Sequence, residues 1–89
     1  MSDWRFAQEN PAEELCQLHH FSMKHNGLEF VITVREYISP PDPGMKFFAQ
    51  ADKQTNQKTA AFTPVGWGPT LLFALSECMR AVKRFPYEG

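Results

Sequence analysis

From Leu28 to Tyr37 the chain reads LEFVITVREY, an uninterrupted alternation. Leu28, Phe30, Ile32 and Val34 share one side of an extended backbone, and Glu29, Val31, Thr33, Arg35 and Tyr37 share the other. A strand with one apolar face needs partner strands beside it and a layer over it, and this need restricts the fold more than any other feature of the chain. SPPDPG breaks the strand, because prolines donate nothing to a ladder and Asp-Pro-Gly is turn chemistry. MKFFAQAD then reads as a second strand, with Met45, Phe47, Ala49 and Ala51 on one face and Lys46, Phe48 and Gln50 on the other. KQTNQ is a polar turn. KTAAFTPV is a third, shorter strand, ended by Pro64.

The cover comes from GWGPTLLFALSECMRAVKRF. Gly66 and Gly68 give a flexible approach, and Pro69 suits a first helical position. The spacing predicts a helix from Pro69 to Arg84 with Leu71, Leu75, Cys78, Val82 and Phe85 lining its dry side, widened by Leu72 and Met79. Trp67 is placed to pack on Leu72 as a hydrophobic staple. Ser76, Glu77, Arg80, Lys83 and Arg84 form the wet side with Phe73 among them, and Pro86 stops the helix. A second helix is expected from Pro11 to His20. Asn10 caps it, Pro11 opens it and Glu13 completes a capping box, so that Leu15 and Leu18 are buried beside Cys16. Phe21 to His25 reads either as more helix or as a short strand turning at Asn26-Gly27, and helix followed by a turn is preferred.

The expected architecture is therefore a single α+β domain spanning residues 1–89 in the order α-β-β-β-α. Two helices pack on one face of a three-stranded antiparallel sheet, and the other face is open. Residues 1–9 form an aromatic arm carrying Trp4 and Phe6, and residues 86–89 form a tail. A chain of 89 residues buries about two thirds of its unfolded surface. Its radius of gyration should be about 12 Å, which leaves little room for an enclosed active site.

Composition narrows the function classes. A formal net charge of −1 gives no general pull toward nucleic acid or anionic lipid. There is no apolar run near the length of a membrane span, so no membrane partner is expected. The N-terminus lacks the basic start and apolar stretch of a secretory signal. The chain reads as cytoplasmic, with Cys16 and Cys78 as reduced thiols.

The expected order of elements resembles that of double-stranded RNA-binding domains. GWGPTLLFALSECMRAV after a sheet is also similar to HicB-like antitoxin folds, in which a strand passes through Gly and Thr into an Ala-Leu-bearing helix. The RNA-binding domains begin their last helix with a lysine cluster that grips phosphate. Pro69, Thr70, Leu71 and Leu72 stand there in this chain, so the likeness extends to the layout and not to the functional residues.

Few residues point to chemistry. On a helix, Cys16, His19 and His20 would offer thiolate and imidazole on one face, and His25 or Cys78 could complete a tetrahedral set. A structural zinc site usually shows paired Cys or His spacings, so no metal and no cofactor are expected. Cys78 lies in an apolar stripe and reads as core. No nucleophile elbow, Walker loop or zincin motif is present. Gly66-Trp67-Gly68 reads as a turn rather than an anion cradle.

Two surfaces remain. On the open sheet face, Arg35, Tyr37, Lys46 and Phe48 combine aromatic and cationic side chains, unless the N-terminal arm covers them. On the last helix, Phe73 with Arg80 and Arg84 has the composition of an interface anchor, unless the arm folds over it. The expectation is a non-enzymatic protein–protein interaction or regulatory domain that binds a protein partner or a second copy of itself. A nucleic-acid-binding module using the sheet face is the alternative. An enzyme or antitoxin-like subunit working at an oligomer interface is the third reading.

Overall fold

The computed structural model describes residues 3–40 and 42–89. Four strands form one antiparallel meander: β1 (Cys16–His25), β2 (Leu28–Tyr37), β3 (Phe47–Ala51) and β4 (Val65–Gly68), in the spatial order β1-β2-β3-β4. One α-helix among the described residues, α1 (Leu71–Arg84), follows β4 and packs on one face of the sheet. The chain is thus a small α+β domain. The expected Pro11–His20 helix, the three-stranded sheet and the α-β-β-β-α order are not what forms, and the layout shared with double-stranded RNA-binding domains goes with them.

The first helix is replaced for a local reason. Its cap signal is real: Asn10 Oδ1 accepts from the Ala12 amide, and Glu13 Oε1 accepts from the Glu9 and Asn10 amides. It closes only one turn of 3-10 helix, Pro11–Glu13, before Glu14 takes a left-handed φ of 49° and redirects the chain. From Cys16 the chain is extended, and Phe21 to His25 is strand. Asn26 and Gly27 follow with φ values of 53° and 78°, the signature of a two-residue type I′ hairpin turn. The hairpin pairs all ten residues of β1 with all ten of β2, from Cys16 with Tyr37 to His25 with Leu28.

β3 pairs with only Ile32–Glu36 of β2, so the hairpin tip overhangs the rest of the sheet. The overhang stretches the molecule to 44 Å along its long axis, with a radius of gyration of 14.8 Å rather than about 12 Å. Asp52 continues the β2–β3 ladder one step further. Its amide donates to the Val31 carbonyl and its carboxylate accepts from the Val31 amide, each at 3.0 Å. The tail supports the tip: the Tyr87 ring meets Phe30 edge-on at 6.3 Å.

The expected third strand, Lys58–Val65, lies largely in a loop. Thr55 and Phe62 form an isolated bridge across it, and the tail clamps it through hydrogen bonds from the Asn56 amide to the Pro86 carbonyl and from the Lys58 amide to Glu88. The fourth strand is instead the Gly-Trp-Gly stretch that reads as a turn. Gly66 and Gly68 both face α1. A methyl group at Gly66 would run into the Ala74 carbonyl oxygen and lie 2.7 Å from the Cys78 amide nitrogen. One at Gly68 would lie 2.5 Å from Phe73 Cδ1. Helix and strand therefore touch backbone to backbone, a distance only glycine permits.

The same contact rotates α1 from the expected stripe. Its most buried residues are Ala74, Cys78, Ala81 and Val82, whereas Leu71, Leu75 and Met79 pack at the margin. Leu72 is 74% exposed, so it makes no staple with Trp67, whose strand parity puts it on the far side of the sheet. Pro69 stands outside the helix, and Thr70 is the cap, its hydroxyl accepting from the Phe73 amide. The core unites Phe30, Ile32, Val34, Phe47, Ala49 and Ala51 of the sheet with the small face of the helix.

Two outcomes follow, both readable by thermal or denaturant unfolding. Gly66→Ala should cost about 3 kcal/mol or prevent folding, as expected of overpacking against backbone. Gly44→Ala, which meets only the Asp42 carboxylate at 3.3 Å, should be near neutral; equal effects would refute the close contact. Thr55 is fully buried, and its Oγ1 has no partner among the described residues. Thr55→Val should therefore leave stability unchanged or raise it by about 1 kcal/mol, and a clear loss would show that the hydroxyl is used.

Candidate functional site

Strand parity builds the open face. It carries Cys16, Leu18, His20, Ser22 and Lys24 from β1; Glu29, Val31, Thr33, Arg35 and Tyr37 from β2; Phe48 and Gln50 from β3; and Val65 and Trp67 from β4. The helix lies on the opposite face. At the Tyr37 end the chain entering β1 forms a rim, held by a 2.7 Å hydrogen bond from the Leu15 amide to the Gln8 side chain.

Three aromatic rings meet on this face. Phe48 and Trp67 are cross-strand partners with ring centroids 4.4 Å apart, and Tyr37 stacks on Trp67 at 6.3 Å with planes 17° apart. Arg35 is paired across the ladder with Phe48 and is exposed. Its guanidinium reaches Cys16 Sγ at 3.8 Å and has no carboxylate partner among the described residues. Beside the rings lies a groove of about 400 Å³ bounded by Tyr37, Trp67, Leu15, Ile38, Gln8 and Glu14. A second depression of about 330 Å³ continues along the face past Leu18, His20, Arg35 and Asp52. The charges are mixed, with Arg35 and Lys24 set against Glu14, Glu29 and Asp52. Burial pushes the Asp52 carboxyl up, but hydrogen bonds from Lys53 and the Val31 amide, together with the Lys53 charge, outweigh it and hold the group below the usual carboxylate range.

Arg35, Tyr37 and Phe48 therefore stand together, as the alternation of their strands implies. Lys46 does not join them. It precedes β3, and its ammonium lies over the Phe47 ring at 5.8 Å. Trp67 is the residue that sequence reasoning missed. Its signal was the Val65–Gly68 alternation, masked by two glycines that are there for the helix behind. Of the two alternatives left open for the aromatic arm, a cover over this groove is not the one that forms. Trp4–Ala7 forms a single 3-10 turn, Phe6 is 85% exposed, and neither Trp4 nor Phe6 lines the groove.

The helix patch is brought together only in part. Phe73, 51% exposed, rests its ring against the backbone of Gly68. Arg80 pairs with Glu77 one turn back, and the Arg84 guanidinium lies 5.9 Å over the Phe62 ring. Phe73 and Arg80 share a shallow depression of about 210 Å³ with Leu72, and Arg84 is outside it. The arm does not reach this depression.

The Cys16, His19 and His20 triplet is not assembled either, because on a strand His19 turns to the opposite face from the other two. His19 Nε2 instead lies 3.1 Å from Glu36 Oε1, and His20 Nδ1 lies 3.1 Å from the Thr33 hydroxyl. No group of three His, Cys, Asp or Glu side chains capable of holding a metal occurs among the described residues. No helix among them is long and apolar enough to cross a membrane.

Cys78 is fully buried, its thiol 3.5 Å from the Pro64 carbonyl, and burial pushes its pKa up to about 11. At mildly alkaline pH a thiol reagent should modify Cys16 in the native chain and reach Cys78 only on unfolding; equal native rates would contradict the packing. The sign of the linkage is also fixed. A thiol that keeps its proton more firmly when folded adds stability below its ordinary pKa of 9, and this contribution is lost as pH rises toward 11. Urea midpoints should fall over that window, and less so in Cys78→Ala. Neither a protein-family model, nor a curated protein, nor a solved structure matches the chain.

Proposed function

We propose that this domain is a non-enzymatic protein–protein interaction module whose partner docks on the open sheet face over Trp67, Phe48 and Tyr37. The reading rests on one observation: three aromatic rings and an arginine with no carboxylate partner among the described residues share a face beside a groove of about 400 Å³. Trp, Tyr and Arg are the residues enriched at binding hot spots, where a few desolvated anchors carry most of the affinity. The partner implied is a protein segment that lays an apolar side chain into the groove against Leu15 and Ile38. A carboxylate on that segment would meet Arg35. The mixed charge of the face suits such a partner.

Nucleic acid is the weaker reading, for two reasons. Sheet-based binders splay their aromatics so that bases stack on free ring faces, whereas Phe48, Trp67 and Tyr37 are packed on one another. The face also lacks the surplus of Lys and Arg from which phosphate binding draws its affinity.

Baits of the wild-type chain, Trp67→Ala and Phe73→Ala, compared by quantitative capture from the native host, test the reading, with circular dichroism as the control for folding. Proteins held by the wild type and Phe73→Ala but lost from folded Trp67→Ala are the expected result. A Trp67→Ala bait that captures everything the wild type does would overturn it. Submicromolar binding of oligonucleotides at physiological salt, lost in Phe48→Ala, would put the nucleic-acid reading in its place.

A further inference from the structure

The two edges of the sheet are guarded very differently. β4 is four residues long, with Pro64 before it and Pro69 after it. β1 runs for ten residues without a bulge, and it contains no proline, no glycine and a single Lys, Arg, Asp or Glu, which is Lys24. Proteins normally blunt such an edge, because its free amides and carbonyls are a template for another strand.

The pairing of β1 with β2 identifies which groups are free. A two-residue turn makes His25 and Leu28 a hydrogen-bonded pair, and alternation extends this to Met23, Phe21, His19 and Gln17. β2 obeys the same parity on its other side, where Val31 bonds to Asp52 and Tyr37 to Lys46. The amides and carbonyls of Cys16, Leu18, His20, Ser22 and Lys24 therefore point outward along the edge.

We infer that this edge is completed by the same edge of a second copy, giving a two-fold symmetric dimer with one continuous antiparallel sheet. The antiparallel register that uses all five outward residues sets His20 against its own symmetry mate. Leu18 then faces Ser22, and Cys16 faces Lys24, of the second copy. Charge favours this occupant. Lys24 has no ion pair among the described residues, and Glu13 and Glu14 lie just ahead of Leu15 at the other end of the strand. Antiparallel self-pairing brings the lysine of each copy to the acidic entry of the other, twice per dimer, and opposes no like charges. Packing favours it as well. Leu18, 45% exposed, and the half-buried Phe21 lie on opposite faces of β1 and gain cross-strand neighbours together. The pairing uses the backbone rim and leaves Trp67, Phe48 and Tyr37 uncovered, so it stands independently of the partner site proposed above.

Sedimentation of the full chain tests the inference. The wild type should be dimeric at micromolar concentration. Ser22→Pro removes only an outward amide and keeps the β1–β2 bonds, so it should be a folded monomer with an unchanged circular dichroism spectrum. In a Cys16→Ser background, His20→Cys should oxidise to a bridge between the two copies, mapped by mass spectrometry, because a hydrogen-bonded antiparallel pair has a Cα separation a disulfide can span. A wild-type chain that stays monomeric at millimolar concentration would overturn the inference, as would a folded Ser22→Pro that remains dimeric. Should Ser22→Pro unfold, the cross-link decides: a bridge between the two introduced cysteines supports the dimer, and its absence refutes it.

Discussion

The contact of α1 with the backbone of β4 at Gly66 is the constraint on which the rest of the fold depends. It brings the helix down on the Ala74, Cys78 and Ala81 face, so the core is built from small helix side chains against large sheet side chains. It explains why Ala49 and Ala51 lie beneath the helix while Phe30, Ile32 and Val34 fill the space further along β2. It also fixes the other face. Glycines placed behind the strand to admit the helix leave Trp67, between them, to point forward. The packing of the core and the aromatic surface are thus two sides of one four-residue strand.

This arrangement leaves a domain with one covering helix where two were expected. The small-faced helix sits close over β4 and β3, and β1 runs along the far edge with Phe21 only half buried. A marginal core in so short a chain is consistent with additional burial by association, on the open face, along the free edge or both. The two surfaces call on different chemistry. The face offers side-chain anchors, and the edge offers main-chain hydrogen bonds with few specificity-giving side chains.

Much of the fold was legible where one local signal had no competitor. The alternation of Leu28 to Tyr37 delimits β2 to the residue, and the amphipathic run closed by Pro86 locates α1 to within two residues of its start. The failures have distinct physical causes. At Asn10 to Glu13 the cap forms, but a cap stabilises a turn without requiring a helix to follow, and the left-handed Glu14 ends it. In β1 only Phe21 and Met23 mark the core face, Leu18 falls on the opposite face, and histidines, glutamine and serine fill the rest, so the alternation is weak. In β4 the glycines answer to a partner distant in sequence, which no local window contains. The aromatic cluster of the open face was therefore readable in Tyr37 and Phe48 and hidden in Trp67, and the contact of the Phe73 ring with Gly68 was hidden because it depends on a strand outside the helix.

Native-state hydrogen exchange tests the central role of the helix–strand contact most directly. If α1 and β4 are locked by the approach at Gly66, the amides of Ala74 to Val82, of Gly66 and of the paired residues of β2 and β3 should exchange together, at the slowest rate in the molecule and only through global unfolding. A helix whose amides exchange well before those of the sheet would contradict the account, because it would show α1 opening on its own from a strand it does not hold.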